Sequence, residues 1–146
     1  MKKKNLLRIL DANINRTKEG LRVCEDILRF LIAKKELTFS FKRLRHQINK
    51  VLEKYSFLSK KALLKYRSPR YDVGRNLNSE RIKKNIVDLF FANIQRVEEA
   101  LRVLEELSKI FDQKTEAEFR RLRFRTYYLE KKASKFILRY EGKKHF

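Results

Sequence analysis

Asp11–Phe30, DANINRTKEGLRVCEDILRF, aligns without gaps on Phe91–Ile110, FANIQRVEEALRVLEELSKI, with nine of twenty positions identical. A second echo follows at nearly the same offset, Phe41-Lys42-Arg43-Leu44-Arg45 against Phe119-Arg120-Arg121-Leu122-Arg123. Solenoid units recur every ~20 to 50 residues. Two copies at this far wider spacing instead predict one helical hairpin, duplicated. The shared positions include Asn, Arg and Glu, residue types for which a simple packing seam has no use.

Working outward, apolar residues at helical spacing predict four long helices. The first runs from about Asn5 to Ala33 with a stripe of Leu6, Ile9, Leu10, Ile14, Leu21, Cys24, Ile27, Leu28 and Leu31. Phe41, Leu44, Ile48, Val51, Leu52 and Tyr55 mark the second; Ile82, Ile86, Leu89, Phe90, Val97, Leu101, Leu104 and Leu107 mark the third. Thr115 and Glu118 read as a capping box opening a fourth, which continues through Leu122, Leu129, Phe136 and Ile137. The polar stretch 66–78, YRSPRYDVGRNLN, holds the only proline, Pro69, and the glycine Gly74, and reads as the linker between halves at about 5–65 and 79–140. The expectation is a single all-α domain over 1–146: a bundle of four long helices built from two hairpins with pseudo-two-fold symmetry.

Composition bounds the function. The net charge of +20 calls for an anionic partner: nucleic acid, an acidic surface or a small phosphorylated ligand. High charge with three glycines also suits the surface ion networks of thermophile proteins. The single cysteine, Cys24, cannot form an intramolecular disulfide and fits a reducing cytoplasm. MKKKNLLRIL opens like a secretory signal, but Arg8 interrupts it, and no stretch approaches the ~18 apolar residues of a membrane span. The chain therefore reads as soluble and unprocessed, with no membrane partner.

On a helical wheel, Asn13 and Arg16 fall inside the apolar arc of the first helix, and Gly20 leaves open volume beside Arg16. Asn93, Arg96 and Ala100 repeat the arrangement, and Arg45 and Arg123 flank Phe41 and Phe119. Four arginines and two asparagines are thus expected to point inward. A buried guanidinium needs a partner, which Glu19, Glu25, Asp26, Glu99, Glu105 and Glu106 can supply. Internal salt bridges explain any one such pair at least as well as function does. The whole set favours a phosphate and metal pocket, because guanidinium forks suit phosphate oxygens and carboxylates suit magnesium. Arg22 and Arg102 fall on the polar arc, where they line a groove mouth or make surface ion pairs. Cys24 reads as a small core residue, His46 and His145 are too far apart for a metal site or triad, and Tyr127 and Tyr128 read as core edge. No Walker A or Gly-x-Gly-x-x-Gly pattern is present, so side chains must hold any nucleotide.

The motifs Asp11-Ala12-Asn13-Ile14-Asn15-Arg16, Glu19-Gly20-Leu21-Arg22-Val23, Asp72-Val73-Gly74, the run from Asn93 to Glu106 and Leu122-Arg123-Phe124-Arg125 together resemble the small all-α hydroxymethylpyrimidine-phosphate kinase family of thiamin synthesis. The resemblance covers about Asn5 to Tyr140, in order. That family occurs alone or ahead of thiamin-phosphate synthase, and no synthase domain follows Phe146, which implies the free-standing form with a functional link to a separate synthase. The family's connecting loop carries Arg-Asp and then Asp-Val/Pro-Gly-Thr, where this chain has Arg67-Ser68 and Asp72-Val73-Gly74-Arg75.

The resemblance implies transfer of the γ-phosphoryl group of ATP, with Mg2+, to 4-amino-5-hydroxymethyl-2-methylpyrimidine phosphate. In that reading Arg16, Arg96, Arg45 and Arg123 clamp phosphates, with Arg22, Arg102 and Arg67 as further anion contacts. Glu19, Glu99 and Asp72 hold magnesium, and Asn13 and Asn93 orient ligand. Two alternatives stay open: a basic helical nucleic-acid-binding module, and a catalytically silent homologue that assists thiamin-phosphate synthase. Exposed helix faces also leave room for a homodimer.

Overall fold

The structure, a computed structural model, describes residues 3–75 and 85–141. Within them every regular element is helical. The long helices are α1 (Lys3–Asp26), α2 (Lys35–Lys54), α4 (Ile86–Phe111) and α5 (Gln113–Glu141), with a short α3 (Lys60–Lys65) after α2. The all-α expectation of four long helices holds. Ile82, placed by its spacing in the third helix, lies outside the described residues, as do residues 76–78 of the linker.

Each hairpin closes over one or two residues. Only Asp112 separates α4 from α5, and its carboxylate accepts from the Lys114 and Thr115 amides, each at 3.3 Å, and from Thr115 Oγ1 at 2.9 Å. The capping box expected at Thr115 and Glu118 is corrected accordingly. Asp112 is the cap, the helix starts two residues before Thr115, and Thr115 is buried as a donor to that cap. Asn85 plays the same part for α4, its side chain accepting from the Asp88 amide at 2.8 Å.

Beyond Asp26 the first helix widens into a π turn, Ile27–Ile32, and ends at Ala33 in the left-handed region, φ 58°. A π turn carries more residues per turn, so the 3.6-residue stripe slips. Leu28 stays buried while Leu31 is 40% exposed. Ile9, also assigned to the stripe, is exposed, and Leu7 is buried instead.

In the bundle, α1 packs on both α2 and α4, and α5 packs on both α4 and α2, so the four long helices form a closed ring. Phe41 of α2 meets Phe90 of α4 edge-on at 6.2 Å within a core that also buries Leu10, Leu21, Ile48, Leu101 and Phe119. The chain after α2 folds back along α1 through α3, which Ser59 caps by accepting from the Ala62 amide at 3.2 Å. That return brings Arg67 and Asp72 beside the start of the repeated motif.

Candidate functional site

The site forms where α1 and α4 approach most closely. A Cβ added at Gly20 would lie 2.6 Å from Val97 Cγ2 and 3.0 Å from the Asn93 carbonyl oxygen. Gly20 is therefore filled by the facing helix, which corrects the expectation of open volume there. On this crossing each motif asparagine is anchored to its own helix: Asn13 Nδ2 donates to the Ile9 carbonyl at 2.9 Å and Asn93 Nδ2 to the Leu89 carbonyl at 2.8 Å. Anchoring by the amide nitrogen leaves the oxygen of Asn13 to accept from Arg16 Nη1 at 3.3 Å.

Asn13, Arg16, Asn93, Gln95, Arg96 and Glu99 line one cleft of about 600 Å³ with Ala100 and Val103 among its apolar walls. Arg16 and Arg96 are exposed at it, not inside the apolar stripes as the wheel suggested. Their long stems carry the guanidinium past the apolar arc to solvent, which Cα angles alone do not capture. Both copies of the repeat thus contribute to the same cleft. A second cavity of about 540 Å³ shares Asn13 and Arg16 and adds Arg8, Asp11, Arg67 and Asp72. There Arg67 forks onto Asp11 at 2.7 and 2.6 Å, and this hydrogen bonding holds its guanidinium pKa above the usual value. Asp72 accepts from the Gly74 amide at 2.9 Å.

Arg45 and Arg123 do turn inward, and both meet carboxylates. Arg45 Nε donates to Glu25 at 3.2 Å, and Arg123 donates to both oxygens of Glu105 at 2.7 and 3.3 Å. Arg123 is 9% exposed and Glu105 3%. These are the internal salt bridges that the sequence allowed as the plainer explanation. Arg22 and Arg102 lie on the surface and pair with Asp26 at 3.6 Å and Glu106 at 2.9 Å. Glu19 is exposed and lines neither cavity. Among the described residues no three His, Cys, Asp or Glu side chains converge in a way that would hold a metal ion unaided.

A third cavity, about 600 Å³, opens between α4 and α5 and is lined by Phe91, Gln95, Glu98, Glu99, Arg102, Tyr127 and Glu130. Glu98 is buried. Burial first, then a side-chain hydrogen bond with Glu130 and the charge beside it, then Glu99 push its carboxyl up to about 8, so the two carboxyls share a proton. The sequence reading passed over Glu98. Its signal was a carboxylate at i+4 from Ile94 and i−3 from Leu101, on the buried stripe. Cys24 lies nearby with its thiol pushed up by burial and by Glu130 and Glu98, and it donates to the Phe90 carbonyl at 3.7 Å. It serves as a core residue. Tyr127 and Tyr128 are exposed, not core edge.

No described helix is long and apolar enough to cross a membrane. The model of the ThiD2 family matches residues 8–132. The chain is 39% identical over 127 residues to a thiamine-phosphate synthase of Synechocystis, covering 86% of this chain and 35% of that protein. It is 37% identical over 125 residues to the thiamine-phosphate synthase of Nostoc punctiforme, covering 84% and 34%, and 35% identical over 131 residues to that of Gloeobacter violaceus, covering 88% and 36%. The chain therefore spans about a third of the length of the curated relatives it matches. No solved structure matches. An all-α bundle whose duplicated Asn-x-x-Arg motifs face one cleft, matched over most of its length by one family model, belongs to the ThiD2 family of thiamin biosynthesis.

Proposed function

We propose that the chain is the kinase that phosphorylates 4-amino-5-hydroxymethyl-2-methylpyrimidine phosphate with ATP. The observation that carries this reading is the shared cleft: Asn13 and Arg16 from one motif copy and Asn93, Arg96 and Glu99 from the other line a single volume. A phosphate monoester has its second pKa near ~6, so the acceptor oxygen is ionised at neutral pH and needs no strong base. That oxygen forms a bond to the γ-phosphorus, the bond from this phosphorus to the β,γ-bridging oxygen breaks, and ADP leaves with the electron pair. Two anionic phosphates must first be brought together. Arg16 and Arg96 supply the charge that offsets their repulsion, and Asn13 steers the Arg16 guanidinium. Magnesium, when bound with ATP, supplies further charge neutralisation. Glu99 in the cleft and Asp72 in the adjoining cavity are oxygen donors of the type it takes; Glu19 lines neither, though its charge is felt at Arg67.

ADP release tests the reading, measured with Mg2+, ATP and either the pyrimidine phosphate or the unphosphorylated alcohol. Turnover with the phosphate only is expected; turnover with neither removes the kinase reading. The outward turn of Arg16, Arg96, Arg22 and Arg102 on a chain of charge +20 gives one second reading, nucleic-acid binding. It predicts tight binding to a long RNA that weakens steeply between 50 and 200 mM salt, on the order of 10³-fold. Binding of ATP and pyrimidine phosphate without turnover would instead identify a silent partner of thiamine-phosphate synthase, with Ser68 as the first residue to restore to Asp.

A further inference from the structure

We propose that Asp11 aims the Arg67 guanidinium to bind a phosphate group in the cavity between α1 and the segment that follows α3. The ligand class rests on the phosphotransfer reading, which supplies two molecules that carry such a group: the pyrimidine phosphate and ATP.

The two sides of the arginine cleft are not equivalent. At the offset that matches Asn13 with Asn93 and Arg16 with Arg96, Arg8 falls opposite Asp88 and Asp11 opposite Phe91. The second copy thus carries a carboxylate in place of Arg8 and an apolar ring in place of Asp11. Asp11 is 5% exposed, and it recruits Arg67, a residue that lies outside both copies.

The geometry of this pair leaves the guanidinium usable. Asp11 engages Nε at 2.7 Å and Nη2 at 2.6 Å. The end-on edge, Nη1 beside Nη2, makes no other hydrogen bond among the described residues, and parallel donors of that kind fit two oxygens of one phosphate. The Arg67 side chain is 40% exposed, against 11% for Arg123 in its closed pair with Glu105, so Arg67 is anchored without being enclosed. Its surroundings suit an anion. Arg8, Arg16 and Arg67 line one cavity, where they outnumber Asp11 and Asp72. Arg8 Nη2 donates to the Ser68 carbonyl at 3.5 Å, which ties it to the residue after Arg67. Glu19 acts on Arg67 through its charge and does not bond it. Arg16 also lines the cleft with Arg96, so a phosphate held by Arg67 lies next to the arginines assigned to transfer.

The test is calorimetric titration of the 146-residue chain with two ligand pairs and one inorganic probe. The pairs are the pyrimidine phosphate against its unphosphorylated alcohol, and a non-hydrolysable ATP analogue against adenosine. Inorganic pyrophosphate is the probe that depends on no reading of the reaction. Arg67→Met should weaken pyrophosphate and the phosphorylated member of one pair by about 10-fold or more, the scale of hydrogen bonds to a charged group. The unphosphorylated member should be unchanged, and the pair affected identifies the source. Arg67→Lys keeps an ion pair with Asp11 but not the two-pronged edge; it should recover little of the affinity, and it serves if the methionine variant does not fold. Asp11→Asn should weaken the same ligand in wild type and add nothing in Arg67→Met, as a positioning residue must. Variants that melt lower but bind every phosphate ligand as wild type does would make the pair purely structural and overturn the assignment. Pyrophosphate affinity that depends on Arg67, without turnover, would keep this site and remove the kinase. Turnover with phosphate affinity untouched in both Arg67 variants would do the reverse.

Discussion

Arg45 and Arg123 inside the bundle and Arg16 and Arg96 at its cleft all belong to repeated sequence positions, yet they do opposite things. The inner pair is neutralised by Glu25 and Glu105, carboxylates that are themselves buried. The outer pair reaches solvent beside asparagines that are tied to their own helices. A guanidinium near an apolar stripe becomes structural where the neighbouring helix places a carboxylate within reach. Arg16 and Arg96 instead end at solvent in a cleft that Glu99 also lines.

The largest effect expected from breaking this contrast is on stability. Arg123→Leu leaves Glu105 buried and unpaired and should cost about 3–5 kcal/mol, read as a fall in denaturation midpoint; adding Glu105→Leu should restore most of it. Arg16→Ala and Arg96→Ala should behave differently, each lowering kcat/KM for the pyrimidine phosphate by about 10²-fold with an unchanged melting temperature. If Arg16→Ala also lost several kcal/mol of stability, the division into inner and outer arginines would be wrong.

Gly20→Ala lies between these cases. It forces a Cβ against Val97 and the Asn93 backbone and should cost about 1–3 kcal/mol while weakening ligand binding through the displaced cleft wall. Glu98 gives a pH handle. Its folded pKa, about 8, is raised above the ordinary carboxyl value, so the contribution is fully present below about pH 4.5 and is lost as pH rises through 8. Glu130 and Tyr127 on α5, Glu99 and Arg102 on α4 and Cys24 on α1 surround it. Thermal melts of wild type should fall between pH 5 and pH 9, and Glu98→Gln should flatten that slope. The smallest effect is at Ala33. Glycine accepts φ 58° without the Cβ penalty, so Ala33→Gly should stabilise by about 0.5–1 kcal/mol in urea titrations.

The asparagine and arginine positions of the cleft were all visible in the repeat, because duplicated polar residues stand out against a background that packing alone would vary. Their roles were not equally visible. Helical angles place a Cα, but a seven-atom arginine side chain can end on either side of the arc that holds it. Glu98 was missed for the converse reason: its place on the apolar stripe was legible, but its meeting with Glu130 of the neighbouring helix was not.

By itself the sequence determined the all-α class, the repeat of one segment in another and the family. Each of these is carried by local periodicity or a long ordered match, and none requires distances between helices. Tertiary structure alone decided which arginines are neutralised, that Gly20 admits the facing helix, that a π turn moves Leu31 to the surface, and that Glu98 meets Glu130 in a partly closed cavity. Those outcomes depend on where a second helix lies relative to the first, and the same residue is solvated or buried, paired or orphaned, according to that one arrangement.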